Sequence, residues 1–364
     1  MIKCRILHIA LALPLLISAC IFLYLMQQED GGKAISNEKV ALVLPGKTSD
    51  QGWNRALFAA SAKVEQDLGV KFVYLQDVSA DDLQNAVSAM RNQRITKIIM
   101  GSFKDLSLLL SQKHSAKEGV RYAGFYTPKD YVYGYTELRL DLEYAYYLAG
   151  FAAARASKNG RIGFVIENFE PLSKAVVNAF VMGARRAVSG IMVFVTRSDE
   201  LGHKGTAEAA CDRLLDIWTV DSLAYFASNN AISRRARMRG VHYVGFLDGP
   251  NTASNLMITQ IKISFENVLR QALKALNDDE NSAKILDFPF GDQSISMGAY
   301  GGDLDDEDIK QLRVLDRQMR EGYAVFQGNI YDNDGNERCH RGQTLDRNAF
   351  LGKSWFVEGT YLVP

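Results

Sequence analysis

Net charge is absent from this 364-residue chain, where 42 Lys plus Arg stand against 42 Asp plus Glu. Without a polyelectrolyte face, nucleic acid is not an expected partner, and any ligand should be small. Histidine is scarce: His8, His114, His203, His242 and His340 show no metal-ligand spacing, so no metal is expected. Cysteine is scarce as well, and with Cys4 and Cys20 near the N-terminus only Cys211 and Cys339 remain for the folded part. Cys211 shares an apolar helix face with Ala207, Leu214, Leu215 and Trp218 and reads as a small core residue. Two thiols do not by themselves establish a bridge.

Catalytic patterns are missing too. ALVLPGKT, Ala41 to Thr48, falls one residue short of a Walker A loop, because Ala41 stands where its first glycine belongs. Asp332, Asn333, Asp334 and Gly335 bring the glycine too early for a twelve-residue calcium loop and read as a turn between strands. No nucleophile and base can be paired, so neither an enzyme nor a cofactor is expected. What the chain does have is 47% apolar residues and only 7 prolines, enough for two globular lobes with cores of their own.

Residues 1–20 have the form of an export signal: Lys3 and Arg5, then apolar Ile6 to Ile17, then Ser18 and Ala19 before Cys20. Ile17 to Cys20 resembles a bacterial lipobox, in which Cys20 becomes the lipidated first residue of the mature chain. Apolar Ile21 to Met26 continues past the cysteine, and Ile6 to Met26 is long enough to serve instead as an uncleaved membrane anchor. Either form holds the globular part outside the cytoplasm at a membrane surface. Residues 27–37 then form a polar, Gly-containing linker.

Beyond the linker, apolar strands alternate with helical patterns. Val40 to Leu44, Lys71 to Leu75, Lys97 to Met100 and Val120 to Tyr126 read as strands, with helices from Trp53, around Leu83 to Met90, and through Leu106 and Leu110. A second series has strands at Ile162 to Ile166, Ile191 to Val195, Ser222 to Phe226 and His242 to Phe246, spaced by helices around Ala175 to Ala187, Ala207 to Trp218 and Ala231 to Arg239. Strands separated by helices imply parallel sheets, so the fold class is α/β with two doubly wound lobes.

Val40 to Asn54 is the most informative stretch. Pro45 and Gly46 stop the first strand, and Asp50, Trp53 and Asn54 stand at the start of the following helix, where an open α/β sheet binds its ligand. Asp50 as a helix cap and Trp53 as a core residue are the competing roles. Tyr131, Tyr133 and Tyr135 alternate, as on a strand crossing between lobes with rings facing the cleft, and Tyr144, Tyr146 and Tyr147 follow. Glu167 and Glu170, after a second-lobe strand, are candidates for hydrogen bonding in the cleft. Arg234, Arg235, Arg237 and Arg239 read as a solvated helix end that complements the dipole.

GSF at Gly101 to Phe103, YLAGFAAA at Tyr147 to Ala154, GRIGFV at Gly160 to Val165, NAFVMGAR at Asn178 to Arg185 and the closing WFVEG at Trp355 to Gly359 occur in this order. Together they resemble the basic membrane protein family, the lipoprotein substrate-binding components of ABC importers whose characterised members bind purine bases or nucleosides. The resemblance implies a type I periplasmic-binding-protein fold that closes two lobes on a ligand, with binding rather than catalysis as the activity. It maps Asp50, Trp53, Asn54 and Phe103 onto base contacts and Asp248, in VGFLDGP, onto a ribose-holding acid. An Asp opening the turn before Gly249 and Pro250 is the other role open to Asp248. Ser228 and Asn229 stand where nucleoside binders often have glycines, and Asn178, Glu167 and Ser228 complete the expected ligand set.

The expected domains are 38–130 plus about 250–290 for the first lobe, and 131–248 plus about 291–364 for the second lobe and hinge crossings. The expected function is a membrane-tethered solute-binding protein that captures a purine base or nucleoside and passes it to an ABC permease. A signal-anchored sensory or regulatory ectodomain with the same fold and another small ligand is the alternative.

Overall fold

A computed structural model of the chain describes residues 38–78, 82–102, 119–125, 132–198, 207–228, 230–248, 254–278, 284–351 and 355–364. Cys20, the linker, Phe103, Tyr131, Asn229 and the helix expected through Leu106 and Leu110 lie outside the described residues. Among the described residues no helix is long and apolar enough to cross a membrane.

The chain opens as an alternation: β1 (Lys39–Val43), α1 (Trp53–Leu68), β2 (Lys71–Leu75), α2 (Leu83–Asn92), β3 (Lys97–Met100), β4 (Arg121–Gly124) and β5 (Tyr135–Leu140). These strands form one sheet in the order β11-β5-β4-β3-β1-β2, where β11 (Lys284–Phe288) returns late in the chain to pair in parallel with β5. Residues 40–43 are buried without alternation, as expected of a parallel strand covered on both faces. Gly69, in a left-handed conformation at φ 67°, ends α1 by donating its amide to the Glu65 carbonyl.

The second sheet repeats the pattern. Its elements are α3 (Leu142–Ala156), β6 (Arg161–Ile166), α4 (Pro171–Ala187), β7 (Met192–Arg197), α5 (Ala207–Asp216), β8 (Ser222–Phe226), α6 (Ala231–Met238), β9 (His242–Phe246), β10 (Met257–Ile263) and β12 (Ile295–Met297). The strand order is β12-β10-β9-β8-β6-β7-β15, with β12 antiparallel to β10 and β15 (Thr360–Leu362) parallel to β7. Both sheets therefore carry the doubly wound order 2-1-3-4-5, with a switch point beside β1 in one and beside β6 in the other.

The chain passes between the sheets three times: through α3 after β5, through α7 (Phe265–Asn277) between β10 and β11, and from β11 to β12. Strand 135–140 thus belongs to the first sheet and strand 257–263 to the second, so the boundaries drawn from sequence at 130 and near 250 shift to these crossings. The alternating tyrosines are corrected by the same topology. Tyr135 is the first residue of β5, at the end of the sheet remote from strand carboxyl termini, and is buried in the core; Tyr133 is exposed in the preceding turn. Tyr146 lies inside α3 and donates its hydroxyl to the Tyr225 carbonyl at 2.8 Å.

Helices α3 and α4 pack backbone to backbone. A Cβ on Gly150 would fall 2.0 Å from the Phe180 carbonyl oxygen, and one on Gly183 would fall 1.9 Å from that of Tyr147. Two of the family-like motifs, YLAGFAAA and NAFVMGAR, therefore mark a single helix crossing that only glycine permits. Three arginines in and just after α6 pair with α5 while staying partly exposed: Arg234 holds Glu208, Arg235 and Arg239 both hold Asp212, and Arg239 also reaches Asp216, whereas Arg237 donates to Tyr243 Oη at 3.1 Å. Arg235 in particular keeps the Asp212 carboxyl below its ordinary range.

After α8 (Asp306–Arg320), the chain wraps the second sheet with a hairpin, β13 (Ile330–Tyr331) and β14 (Glu337–Cys339), then α9 (Arg347–Leu351) and β15. Buried Asp332 accepts from the amides of Asp334 and Asn336 and from Arg338, the turn read from sequence. Cys211 and Cys339 are buried free thiols.

Candidate functional site

A cavity of about 170 Å³ opens where the two switch points face each other. Pro45 and Gly46 after β1 and Gly101 and Ser102 after β3 line it from the first sheet, joined by Trp53 and Asn54 from the start of α1. Glu167 and Asn168 after β6 and residues 226–228 closing β8 line it from the second, with Phe246 at the end of β9 and Leu172 and Ser173 from the start of α4. Every lining group sits at a strand's carboxyl end or a helix's amino end, the crevice in which doubly wound sheets bind ligands.

The loop 45–54 is organised by Asp50. Its carboxylate accepts from the amides of Gly52 (2.9 Å), Asn54 (3.1 Å) and Arg55 (3.1 Å) and from Asn54 Nδ2 (2.6 Å). The amides of Gly52, Asn54 and Arg55 at the helix start are thereby satisfied, that of Trp53 donates instead to the Ser228 carbonyl at 2.8 Å, and Asp50 itself does not line the cavity. Holding this turn puts Gln51 at φ 60°, a conformation costly for a residue with a side chain and common at functional loops. Gly46 packs against Asn54 so closely that a Cβ would lie 2.7 Å from Nδ2.

Asn54 is 2% exposed, and with its amide nitrogen on Asp50 its Oδ1 has no hydrogen-bond partner. A buried acceptor left in this state costs about 1–3 kcal/mol, which a ligand donor would recover. Trp53 is fixed beside it. Its indole Nε1 donates to the Gly101 carbonyl at 2.7 Å, and Phe125 and Phe265 meet its ring edge-on with centroids 5.2 and 4.8 Å away. The tryptophan is at once a core residue and a rigid wall of the cavity.

Across the cleft, Glu167 Oε1 accepts the Ser228 amide at 2.6 Å and the Ser228 hydroxyl. Asn168 Oδ1 accepts the Glu170 amide at 3.1 Å and Ser173 Oγ at 3.2 Å, and Pro171 opens α4 at the position where a missing amide is harmless. Phe226 and Phe246 stand 5.5 Å apart at 62° and form the aromatic floor on this side.

The sequence-expected residues divide accordingly. Trp53, Asn54, Glu167 and Ser228 meet at the cavity. Asp248 lies behind it: its Oδ1 accepts from Tyr225 Oη (3.0 Å) and Ser233 Oγ (2.8 Å), and burial raises its carboxyl above the ordinary range. The preceding Leu247 turns the chain at φ 55°. Asn178 lies away from the cavity within α4, where its amide bonds the Trp355 carbonyl (3.1 Å) and the Val357 amide (2.9 Å). Ser102, Asn168, Leu172, Ser173, Phe226 and Phe246 line the cavity without having been chosen from sequence. The signal for most of them was positional, because they follow the strands that flank each switch point.

Comparison with known proteins agrees with this geometry. Residues 37–324 match the Bmp family, described as ABC transporter substrate-binding protein PnrA-like. The chain is 28% identical to Basic membrane protein D of Borreliella burgdorferi (strain JD1) over 207 residues, a match spanning 53% of this chain and 58% of that protein. It is 22% identical to a purine-binding protein of Brucella abortus (strain 2308) over 339 residues, spanning 90% and 95%. An ABC transporter solute-binding protein from Aeropyrum pernix K1 shares the fold at a TM-score of 0.65 and 13% identity, covering 78% of this chain and 92% of that one. The role that the family's description gives is substrate binding, not catalysis. By the match across most of its length, the chain belongs to the Bmp family of PnrA-like ABC transporter substrate-binding proteins.

Proposed function

We propose that this protein captures a purine base or nucleoside between its two lobes and delivers it to an ABC permease while tethered to the membrane through lipid on Cys20. The observation that carries the reading is the composition of the cavity: Trp53, Phe226 and Phe246 supply aromatic walls from both sides, and Asn54 offers an unpaired buried acceptor among them. A flat heterocycle has π faces for the first and edge N–H groups for the second. Contacts with both lobes at once can form only when the lobes are shut, so the ligand favours the closed form by the difference in its affinity for the two states.

In this reading Trp53, Asn54, Glu167 and Ser228 touch the ligand, together with Phe103, which follows β3 in sequence. Asp50 acts through Asn54, Asp248 through Tyr225 and the end of β9, and Asn178 by holding the chain near Trp355. Thermal unfolding with purines, nucleosides, sugars and amino acids tests the ligand class. A purine at about 100 times its Kd should stabilise the protein by about 2.7 kcal/mol. Trp53→Ala should abolish the shift, and a folded protein that ignores every purine and nucleoside would refute the assignment. Globomycin should block maturation at Cys20, whereas an uncleaved anchor would be indifferent to it.

A further inference from the structure

Among the described residues the cavity is lined by two acids, Glu167 and Glu170, and by no lysine, arginine or histidine. Of the neighbouring cations, Lys174 lies over the rings of Phe169 and Phe356 and Arg197 lies over Phe169, whereas Lys47 is exposed and stands 3.9 Å from the exposed Asp77. On the first-lobe side the polar atom without a partner is Asn54 Oδ1, an acceptor. On the second-lobe side Glu167 is oriented through Oε1 by the amide and hydroxyl of Ser228, which leaves Oε2 as a second acceptor. Asn54 Oδ1 and Glu167 Oε2, one from each side of the cleft, are therefore both acceptors, while Asn168, whose Oδ1 is taken by Glu170 and Ser173, keeps its Nδ2 as a donor.

We propose that Glu167 is the specificity-determining residue of the cleft, selecting flat ligands that present amino or ring N–H donors and rejecting ligands that carry a negative charge. The inference rests on the purine reading above and deepens it: amino-purines are favoured over their oxo counterparts, and nucleotides are excluded. An ionised carboxylate is acceptor-only, so an amino group meets it with a charge-assisted bond, whereas a carbonyl at the same place puts two acceptors face to face. A phosphate entering this lining would meet like charge with no cation to offset it. Besides lining the cavity, Ser228 positions Glu167, since its two donors hold one carboxylate oxygen and thereby aim the other.

Isothermal titration of the full-length protein tests this with paired ligands: adenine against hypoxanthine, adenosine against inosine, cytosine against uracil, and adenosine against adenosine 5′-monophosphate. The amino member should bind more tightly in each of the first three pairs that binds, and the monophosphate should bind at least about tenfold more weakly than adenosine. Glu167→Gln replaces one acceptor by a donor, so it should weaken the amino ligands about tenfold or more and narrow or reverse the amino-to-oxo ratio. Ser228→Ala, which keeps the backbone donor, should shift the ratio the same way by less, and it carries the test if Glu167→Gln fails to fold. Unchanged amino-to-oxo ratios in a folded variant, or a monophosphate bound as well as adenosine, would overturn the proposal while leaving the purine reading intact. If no purine binds but cytosine exceeds uracil in a Glu167-dependent way, the purine reading fails and the donor rule stands. Binding of none of these ligands overturns both.

Discussion

The guanidinium of Arg347 reaches the carboxylate of Asp141 at 2.8 Å and that of Glu143 at 3.3 Å, and it also donates to the Leu140 carbonyl. Arg347 belongs to α9, beyond the family-matched segment, whereas residues 140–143 are where the chain leaves the first sheet for the second. Glu143 is 3% exposed, and its partners make the crossing a pinned joint. Arg347→Met would leave two acids there uncompensated and should cost about 3 kcal/mol or more at pH 8, measured by urea unfolding. The loss should shrink at pH 5, where Asp141 is protonated.

The same joint makes stability depend on pH. Burial, with the Glu143 charge adding to it and Arg347 partly offsetting it, pushes the Asp141 carboxyl up to about 7. Its unfolded value is about 4. A group whose folded pKa is raised binds more protons folded than unfolded between those values, so its stabilising contribution is complete below about pH 4 and is lost as pH rises through about 7. The melting temperature should therefore rise on acidification from about pH 7.5 to about 5.5. Asp141→Asn should flatten that slope, and an unchanged slope in the variant would place the titrating group elsewhere.

At the α3 and α4 crossing, no side chain can be added without moving a helix. Gly150→Ala and Gly183→Ala each place a methyl about 2 Å from a backbone carbonyl that cannot swing aside. Each should destabilise by about 3 kcal/mol or more, at or above the upper end of core overpacking, and guanidinium unfolding would measure it. Gly190→Ala provides a control, since nothing lies within 4 Å of its Cβ position, although its φ of 82° carries a strain cost of its own.

Asn178 separates a structural role from a ligand role. Asn178→Leu removes both bonds to residues 355 and 357 and leaves a buried carbonyl and amide unsatisfied, costing about 1–3 kcal/mol. Proteolysis near the C-terminus should accelerate in this variant while ligand affinity of the folded protein stays within about twofold. A large affinity loss without loss of stability would return Asn178 to the binding set.

Much of this molecule was legible in its residues. The strands at Lys71–Leu75, Lys97–Met100 and Ser222–Phe226 and the helix beginning at Trp53 lie where apolar runs and helical spacing put them, because both patterns are local. The cleft was legible in part. Trp53, Asn54, Glu167 and Ser228 follow strands that flank a switch point, and that much can be read from strand order alone. Asp248, only two residues beyond its strand, does not line the cavity: Tyr225 and Ser233, both remote from it in sequence, take its Oδ1, and its Oδ2 is buried without a partner.

By itself the sequence determined the α/β alternation, the duplicated parallel sheets and the family, since each depends on periodicity and short motifs that survive along a single chain. Only the tertiary structure decided which buried polar groups are satisfied within the chain. Asn178 and Asn54 are both asparagines buried in the first half of a helix, yet the C-terminal segment supplies every partner of one and nothing supplies a partner for Oδ1 of the other. Hydrogen-bond satisfaction is a property of neighbours brought together by the fold, and these neighbours lie as far as 179 residues away.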